Sequence, residues 1–210
     1  MSAGYPYKRP KIGKAIVSQG GVAGGVQRMT AGLPPPPEIK TKDSIVNATT
    51  SGTGDWTVVS PATVFSSITQ GAAPEQRVGR KIRVVGIVLR LDILSTAVDP
   101  YTMDLLWDKQ PNGAQALLTN IYTGASSEQL PNSNFTDRFQ FVKRWKSDPS
   151  QSSTISQIDY SMKCNKVVSY DGNTGLIGDI EQNELLLTLC SSSIVNQVIQ
   201  GIFRVLYVDA

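Results

Sequence analysis

PEQRVGRKIRVVGIVLRLDIL, residues 74–94, joins a basic turn directly to a long apolar run. Apolar side chains on one parity alternate with mixed ones that end in Arg90 and Asp92, and this period of two predicts a strand with one buried face. At about 3.3 Å per residue, residues 81–94 would span roughly 45 Å, which is long for a strand. The apolar parity comprises Val85, Ile87, Leu89, Leu91 and Ile93.

Further strand patterns fill most of the chain. Met103, Leu105 and Trp107 share a parity in YTMDLLWD, and the cleanest alternation is ISQIDYSMKCNKVV, residues 155–168. Other predicted strands are residues 62–71, 184–190 and 201–208, and the two predicted helices are residues 113–122 and, more weakly, 193–199. Seven or eight strands separated by Pro, Asn and Gly turns predict an all-β antiparallel sandwich. Periodicity alone does not separate a jelly roll from an immunoglobulin-like sandwich.

Charge divides the chain into two parts. Residues 1–37 carry five cations and no acid, whereas residues 38–210 carry 15 Lys and Arg against 17 Asp and Glu. The first segment contains GGVAGG and PPPP, which favour a flexible chain and stiff polyproline II. Residues 1–40 are therefore predicted to be a flexible basic arm with a polyproline spacer, and residues 41–210 a folded domain. The arm cations are Lys8, Arg9, Lys11, Lys14 and Arg28.

Little in the composition indicates catalysis. The chain has no histidine, which excludes histidine-based triads and most zinc sites. Cys164 and Cys190 form no CxxC pair and are predicted to be buried free thiols. No P-loop, GxSxG or HExxH pattern occurs. Carboxylates for hydrolysis or for a structural calcium exist but carry no distinguishing pattern, so we expect no enzyme and no cofactor; they are Asp104, Asp108, Asp159 and Asp179.

The segment DRFQFVKRWKSD, residues 137–148, is basic and aromatic. As a strand it would place Phe139, Phe141 and Trp145 on one face. The opposite face would present cations that can bind phosphate, while the aromatic rings point into the core. A second group of cations lies at the basic turn before the long strand. The two groups are Arg138, Arg144 and Lys146, and Arg77, Arg80, Lys81 and Arg83.

The order of these pieces resembles the single jelly-roll capsid proteins of small circular single-stranded DNA viruses. It is also similar to the coat proteins of satellite necrosis-type RNA viruses. The markers are QRVGRK at residues 76–81, Trp107 and Asp108 before a Pro-Asn-Gly turn, Arg138 with Phe139, and a terminal strand GIFRVLYVDA. The resemblance covers roughly residues 62–210. It implies an eight-stranded jelly roll of two four-stranded sheets, a closed icosahedral shell of about 60 identical subunits, and no enzymatic activity.

The resemblance also implies that the arm faces the packaged genome. This arm departs from many capsid arms, which are richer in arginine. If 60 copies assemble, 60 arms with five cations each would carry roughly 300 positive charges. That would neutralise only part of a kilobase-scale genome, so inner-surface cations or counterions would have to supply the rest.

The sequence therefore predicts a capsid subunit whose partners are its own copies and a single-stranded genome, with DNA favoured over RNA. We expect no membrane partner and no secretion signal, and localisation in the virion, with the host nucleus or cytoplasm during assembly. The residues predicted to bind nucleic acid are the five arm cations and the seven body cations named above. The alternative is a lectin-like module using Trp56, Trp107 and Trp145, and a third hypothesis is a hydrolase dependent on Asp104 or Asp108.

Overall fold

Antiparallel strands make up most of the computed structural model, which describes residues 37–50, 54–59, 65, 67–95, 100–124, 129–147, 155–191 and 197–210. The strands are β1 Lys40–Thr49, β2 Trp56–Val58, β3 Lys81–Ser95, β4 Tyr101–Asp108, β5 Phe139–Lys146, β6 Ile155–Tyr170, β7 Ile180–Gln182, β8 Glu184–Ser191 and β9 Gln197–Asp209. The helical pieces are α1 Leu118–Ile121 and single 3₁₀ turns at Ser133–Phe135 and Ile177–Asp179. None of the helices in the described ranges is long and apolar enough to cross a membrane.

The strands form two sheets in a jelly-roll order. The large sheet has the order β1-β9-β3-β6-β7, and the small sheet has the order β2-β8-β4-β5. Successive strands change sheets except at β4–β5 and β6–β7, and the first and last long strands, β1 and β9, lie side by side. This interleaving confirms the predicted all-β jelly-roll sandwich. The structure has nine strands and not eight, because the three-residue strand β7 pairs with the end of β6 and makes the large sheet five-stranded.

Strand β3 confirms the long strand of the opening stretch, with one correction at Val85. Ile82 and Val84 are buried on one parity, whereas Ile87 to Ile93 are buried on the other. The change occurs at a register shift between Val84 and Gly86 in the pairing with both neighbours. A bulge of this kind reverses which parity faces the core, so Val85 is half-exposed rather than buried.

Three predicted elements differ from the structure. In residues 62–71, the described positions form no strand: Phe65 and Ile68 are buried in a loop, and Gln70 makes one isolated bridge to Arg77. The predicted helix at 113–122 shrinks to the four residues of α1. The described end of 193–199 belongs to β9. The predicted flexibility of residues 1–36 lies outside the described residues, and β1 begins at the last residue of the predicted arm.

Two apolar clusters stabilise the sandwich. The larger one lies between the sheets and contains the predicted face of Met103, Leu105 and Trp107. The smaller one covers the outer face of the small sheet, where α1 and Tyr122 pack over Leu106 and neighbouring residues. Strands β4 and β8 are therefore buried on both faces, which is why β8 reads as a continuous apolar run. Cys190 is buried, as predicted, and its thiol donates to the Gly54 carbonyl at 3.0 Å, whereas Cys164 is half-buried. Burial raises the pKa of the Cys164 thiol.

Candidate nucleic-acid interface and buried acid pairs

Arg77, in the basic turn before β3, is completely buried. Its guanidinium donates to the backbone carbonyls of Ile68, Gly79 and Gly172 and lies 4.1 Å from the centroid of the Tyr170 ring. Burial lowers the pKa of this arginine, although carbonyl dipoles and the ring face compensate the charge. The structure corrects the prediction for Arg77: its cation joins two loops to the sandwich and has no surface to offer a phosphate.

The rest of the basic turn is fixed by contacts with β1 and β9 of the large sheet. Lys40 of β1 donates to the carbonyl oxygen of Gln76 at 2.8 Å, and the Tyr207 hydroxyl of β9 donates to the carbonyl of Glu75 at 2.7 Å. The amide of Val78 donates to Asp209 at 2.9 Å. The turn at residues 75–78 is therefore held by hydrogen bonds to β1 and β9, directly before the long strand β3.

Arg144 of β5 pairs with the buried carboxylate of Asp104 on the outer face of the small sheet. Nε and Nη2 donate to the two carboxylate oxygens at 2.7 and 2.6 Å. The Tyr122 hydroxyl donates to the same carboxylate at 2.9 Å and lies 2.6 Å from the Thr188 hydroxyl. Burial, followed by the charge of Asp104, raises the pKa of Tyr122, so the phenol stays protonated as a donor.

Arg138 holds a second buried carboxylate, Asp108, with the same two-point geometry at 2.8 and 2.7 Å. Glu184, the first residue of β8, lies directly opposite Asp108 in the strand register and is also fully buried. Neither carboxylate oxygen of Glu184 has a hydrogen-bond partner among the described residues. Burial, followed by the charge of Asp108, raises the pKa of Glu184 to about 8, while Arg138 acts in the opposite direction.

These pairs revise the predicted faces of β5. The β4–β5 register shifts between Leu105 and Leu106, so Phe139 and Phe141 lie in the outer cluster whereas Trp145 packs against the core between the sheets. Arg144 therefore shares the outer face with the two phenylalanines and does not oppose them. A phosphate would have to compete with a buried carboxylate for Arg138 or Arg144, because each guanidinium already donates two charge-assisted hydrogen bonds.

The remaining predicted body cations lie at the surface. Arg80, Lys81 and Arg83 follow one another at the start of β3 and are exposed. Arg80 lies 3.7 Å from Asp171, a distance and exposure that leave it available to a competing anion. Lys146 is exposed at the end of β5. The five arm cations, Lys8, Arg9, Lys11, Lys14 and Arg28, lie outside the described residues.

Sequence reasoning noted Lys143 but did not predict it as a nucleic-acid-binding residue, and it missed two further surface lysines on β6. Lys143 and Lys163 are exposed on β5 and β6, and Lys166 donates to Gln140 at 2.8 Å across the two sheets. This contact shows that the exposed edge of β5 and strand β6 lie together along one flank of the sandwich. Sequence alternation does not show this contact, because only the packing of one sheet on the other brings Lys166 to Gln140.

The tryptophans of the lectin-like alternative pack within the domain. Trp107 is buried in the core, and Trp145 packs edge-on against Tyr160 at 5.2 Å. Trp56 is buried and stacks on Tyr122 with ring centroids 3.8 Å apart. A pocket of about 480 Å³ adjoins this stacked pair, and its polar lining includes Asp55 and Asn134.

The acids considered for hydrolysis or for calcium have other contacts. Asp104 and Asp108 are the carboxylates of the two arginine pairs, and Asp159 lies 3.5 Å from Arg90. Asp179 accepts hydrogen bonds from Thr174 and from loop amides, which hold its pKa below the ordinary value. In the described part of the chain, no group of three or more His, Cys, Asp or Glu side chains is placed to hold a metal ion.

The sequence matches no family model and no curated protein.

Proposed function

We propose that this chain is the subunit of a small icosahedral viral capsid, about 60 copies of which enclose a single-stranded genome, with DNA favoured over RNA. The jelly-roll domain forms the shell, and the basic segment before it contacts the packaged nucleic acid. The protein acts as a structural component and carries out no catalysis. Its partners are other copies of itself and the genome.

The observation that carries the proposal is the separation of charge along a jelly-roll chain. Residues 1–37 have five cations and no acid, while the part that follows carries two more acids than cations. Arg77, Arg138 and Arg144 stabilise the fold, so they add little to any binding of phosphate. Electrostatic binding of a polyanion then falls to the first segment and to surface cations such as Lys81 and Arg83.

A rigid domain supports the proposal from the assembly side. Repeated interfaces in a closed shell need loops whose geometry is the same in every copy. The turn before β3 meets this need because Arg77, Tyr207 and Asp209 attach it to the sandwich through hydrogen bonds. Such loops can carry contacts between subunits while the sheets keep them in position.

Electron microscopy of the purified protein tests assembly, with the ratio of absorbance at 260 and 280 nm measured on the same fraction. Round particles with high 260 nm absorbance are expected. A uniformly monomeric protein across salt concentration and pH would refute the proposal and would favour the ligand-binding alternative.

Deleting residues 2–37 tests the assigned role of the basic segment. The expected result is less packaged nucleic acid or a changed particle size, because all five cations of that segment are removed. A matched control keeps the full length and replaces the same five cations by glutamine, which separates charge from chain length. Unchanged packaging in both variants would remove this segment from the mechanism.

A further inference from the structure

The outer face of the large sheet is formed by β1, β9, β3 and β6, whose side chains line up in rows across the strands. One row is Ile45, Ile202, Arg90 and Asp159, as the register of the three strand pairs gives it. The rows on either side begin with Asp43 and Asn47 on β1. This face lies opposite the core, because the alternate residues of β1 and β9 are those packed between the sheets.

Two exposed isoleucines lie next to each other on this face, at the β1 edge of the sheet. Ile45 and Ile202 are directly opposite each other on β1 and β9, and they are 79% and 48% exposed. Ile155 on β6 is 52% exposed, and Val88 and Leu206 are half-exposed. Large apolar side chains that neighbour one another on a surface mark an interaction site more often than isolated ones do.

The charges on this face neutralise one another. Arg204 donates to both carboxylate oxygens of Asp43 at 2.6 Å, and Arg90 lies 3.5 Å from Asp159. Asp92 accepts a hydrogen bond from Gln157 at 3.1 Å. Over the five rows from Thr41 to Thr49, the three acids Asp43, Asp92 and Asp159 balance three cations. Those cations are Arg90, Lys163 and Arg204.

An exposed apolar pair on a face whose charges balance indicates the kind of partner. A nucleic acid would gain no net electrostatic attraction from a face with equal numbers of acids and cations, and it would gain little from isoleucines. A strongly charged protein would meet like charge at half of the ionised groups. A second copy of the same face brings equal numbers of both signs, and a two-fold arrangement lets the arginines of one copy face the acids of the other.

We propose that the outer face of the large sheet, around Ile45 and Ile202, is a contact between two copies of this chain. The inference rests on the proposed function for its place in a shell, but the contact itself requires only self-association. It places the face between subunits and leaves the basic segment and the start of β3 to contact the genome.

Sedimentation velocity over a series of protein concentrations tests this contact in full-length wild type, Ile45→Asp and Ile45→Thr. Leu176→Asp is the matched control, because Leu176 is 65% exposed in the loop before β7 and lies outside this face. Thermal unfolding, monitored by circular dichroism, verifies that each variant is folded. Ile45→Thr retains β-propensity, so it remains informative if aspartate disturbs the edge strand β1.

The expected result is that Ile45→Asp raises the concentration needed for half-maximal association by about tenfold or more. Ile45→Thr should raise it less, and Leu176→Asp should leave it unchanged. Particles formed by Ile45→Asp at the wild-type concentration would overturn the inference and leave the capsid proposal standing. Dimers that depend on Ile45 but never form particles would support the contact and refute the capsid. Normal assembly with loss of packaged nucleic acid would assign the face to the genome and overturn the inference.

Discussion

Replacing Glu184 by glutamine should remove a large part of the pH dependence of this domain's stability. Glu184 is fully buried opposite Asp108, and its carboxylate oxygens have no hydrogen-bond partner in the described part of the chain. Arg138 forms a bidentate salt bridge with Asp108, so its charge is already compensated. Two acids therefore share one cation, and the state of lower free energy keeps a proton on Glu184.

The magnitude follows from the displaced pKa of Glu184. Burial and the charge of Asp108 raise it from 4.5 to about 8 in the folded chain. Between these values the folded state holds a proton that the unfolded state has released, so the free energy of unfolding decreases as pH rises. At about 1.4 kcal/mol per pKa unit, the loss across the whole window is on the order of 5 kcal/mol. Above the window no further loss comes from this group.

Urea unfolding at about pH 5 and about pH 9 measures the effect. It is done at protein concentrations where wild type and variant are unassembled, so that association does not contribute to stability. The buried amide of Glu184→Gln adds an offset at both pH values, so the informative quantity is the difference between them. Glu181→Gln is the control, because Glu181 is exposed on β7. If wild type and Glu184→Gln lose the same stability between the two pH values, the buried-acid reasoning is wrong.

Three further substitutions test the fold. Arg144→Met leaves the Asp104 carboxylate buried without its cation and should cost about 3–5 kcal/mol by denaturant unfolding, whereas Arg80→Met, at an exposed pair, should cost at most about 1 kcal/mol. Arg77→Met removes the donor from three backbone carbonyls and should lower stability by at least about 3 kcal/mol, with Arg80→Met again as the comparison. Gly201→Ala places a methyl group 2.1 Å from the Arg90 carbonyl oxygen and should cost about 1–3 kcal/mol; an unchanged melting temperature would contradict the close approach of β9 and β3.

The sequence was sufficient for strands whose pattern is local. The alternation in β6 and the shared parity of Met103, Leu105 and Trp107 follow from the pleat alone, and both were confirmed. Strand β1 was missed because its inward positions begin with Lys40 and Lys42, so its apolar pattern is weak before β9 pairs with it. Edge strands of this kind gain their stability from one neighbour rather than from their own composition.

Bulges set a second limit on prediction. An extra residue near Val85, relative to β9, reverses parity in β3, and the shift opposite Leu105 does so in β5. A pattern of period two contains no mark of where such a residue is inserted, because each side of the bulge alternates correctly by itself. The same cause misassigned Arg144, whose face depends on the β5 register. The functions of Arg77 and Glu184 depend on partners distant in sequence, such as Gly172 and Asp108, and no local pattern brings these together.

The paired and the exposed cations of this chain should respond differently to salt in a shell that holds a genome. Arginine forms planar two-point pairs with carboxylates, and the described body uses it for that purpose at Asp104, Asp108 and Asp43. Other cations lie at exposed positions, such as Lys81, Arg83 and Lys143. Phosphate contacts made by such exposed cations would depend strongly on salt. Packaging should therefore respond to ionic strength much more than the fold does, because Arg138 and Arg144 hold fully buried carboxylates, and buried pairs are screened much less than exposed ones.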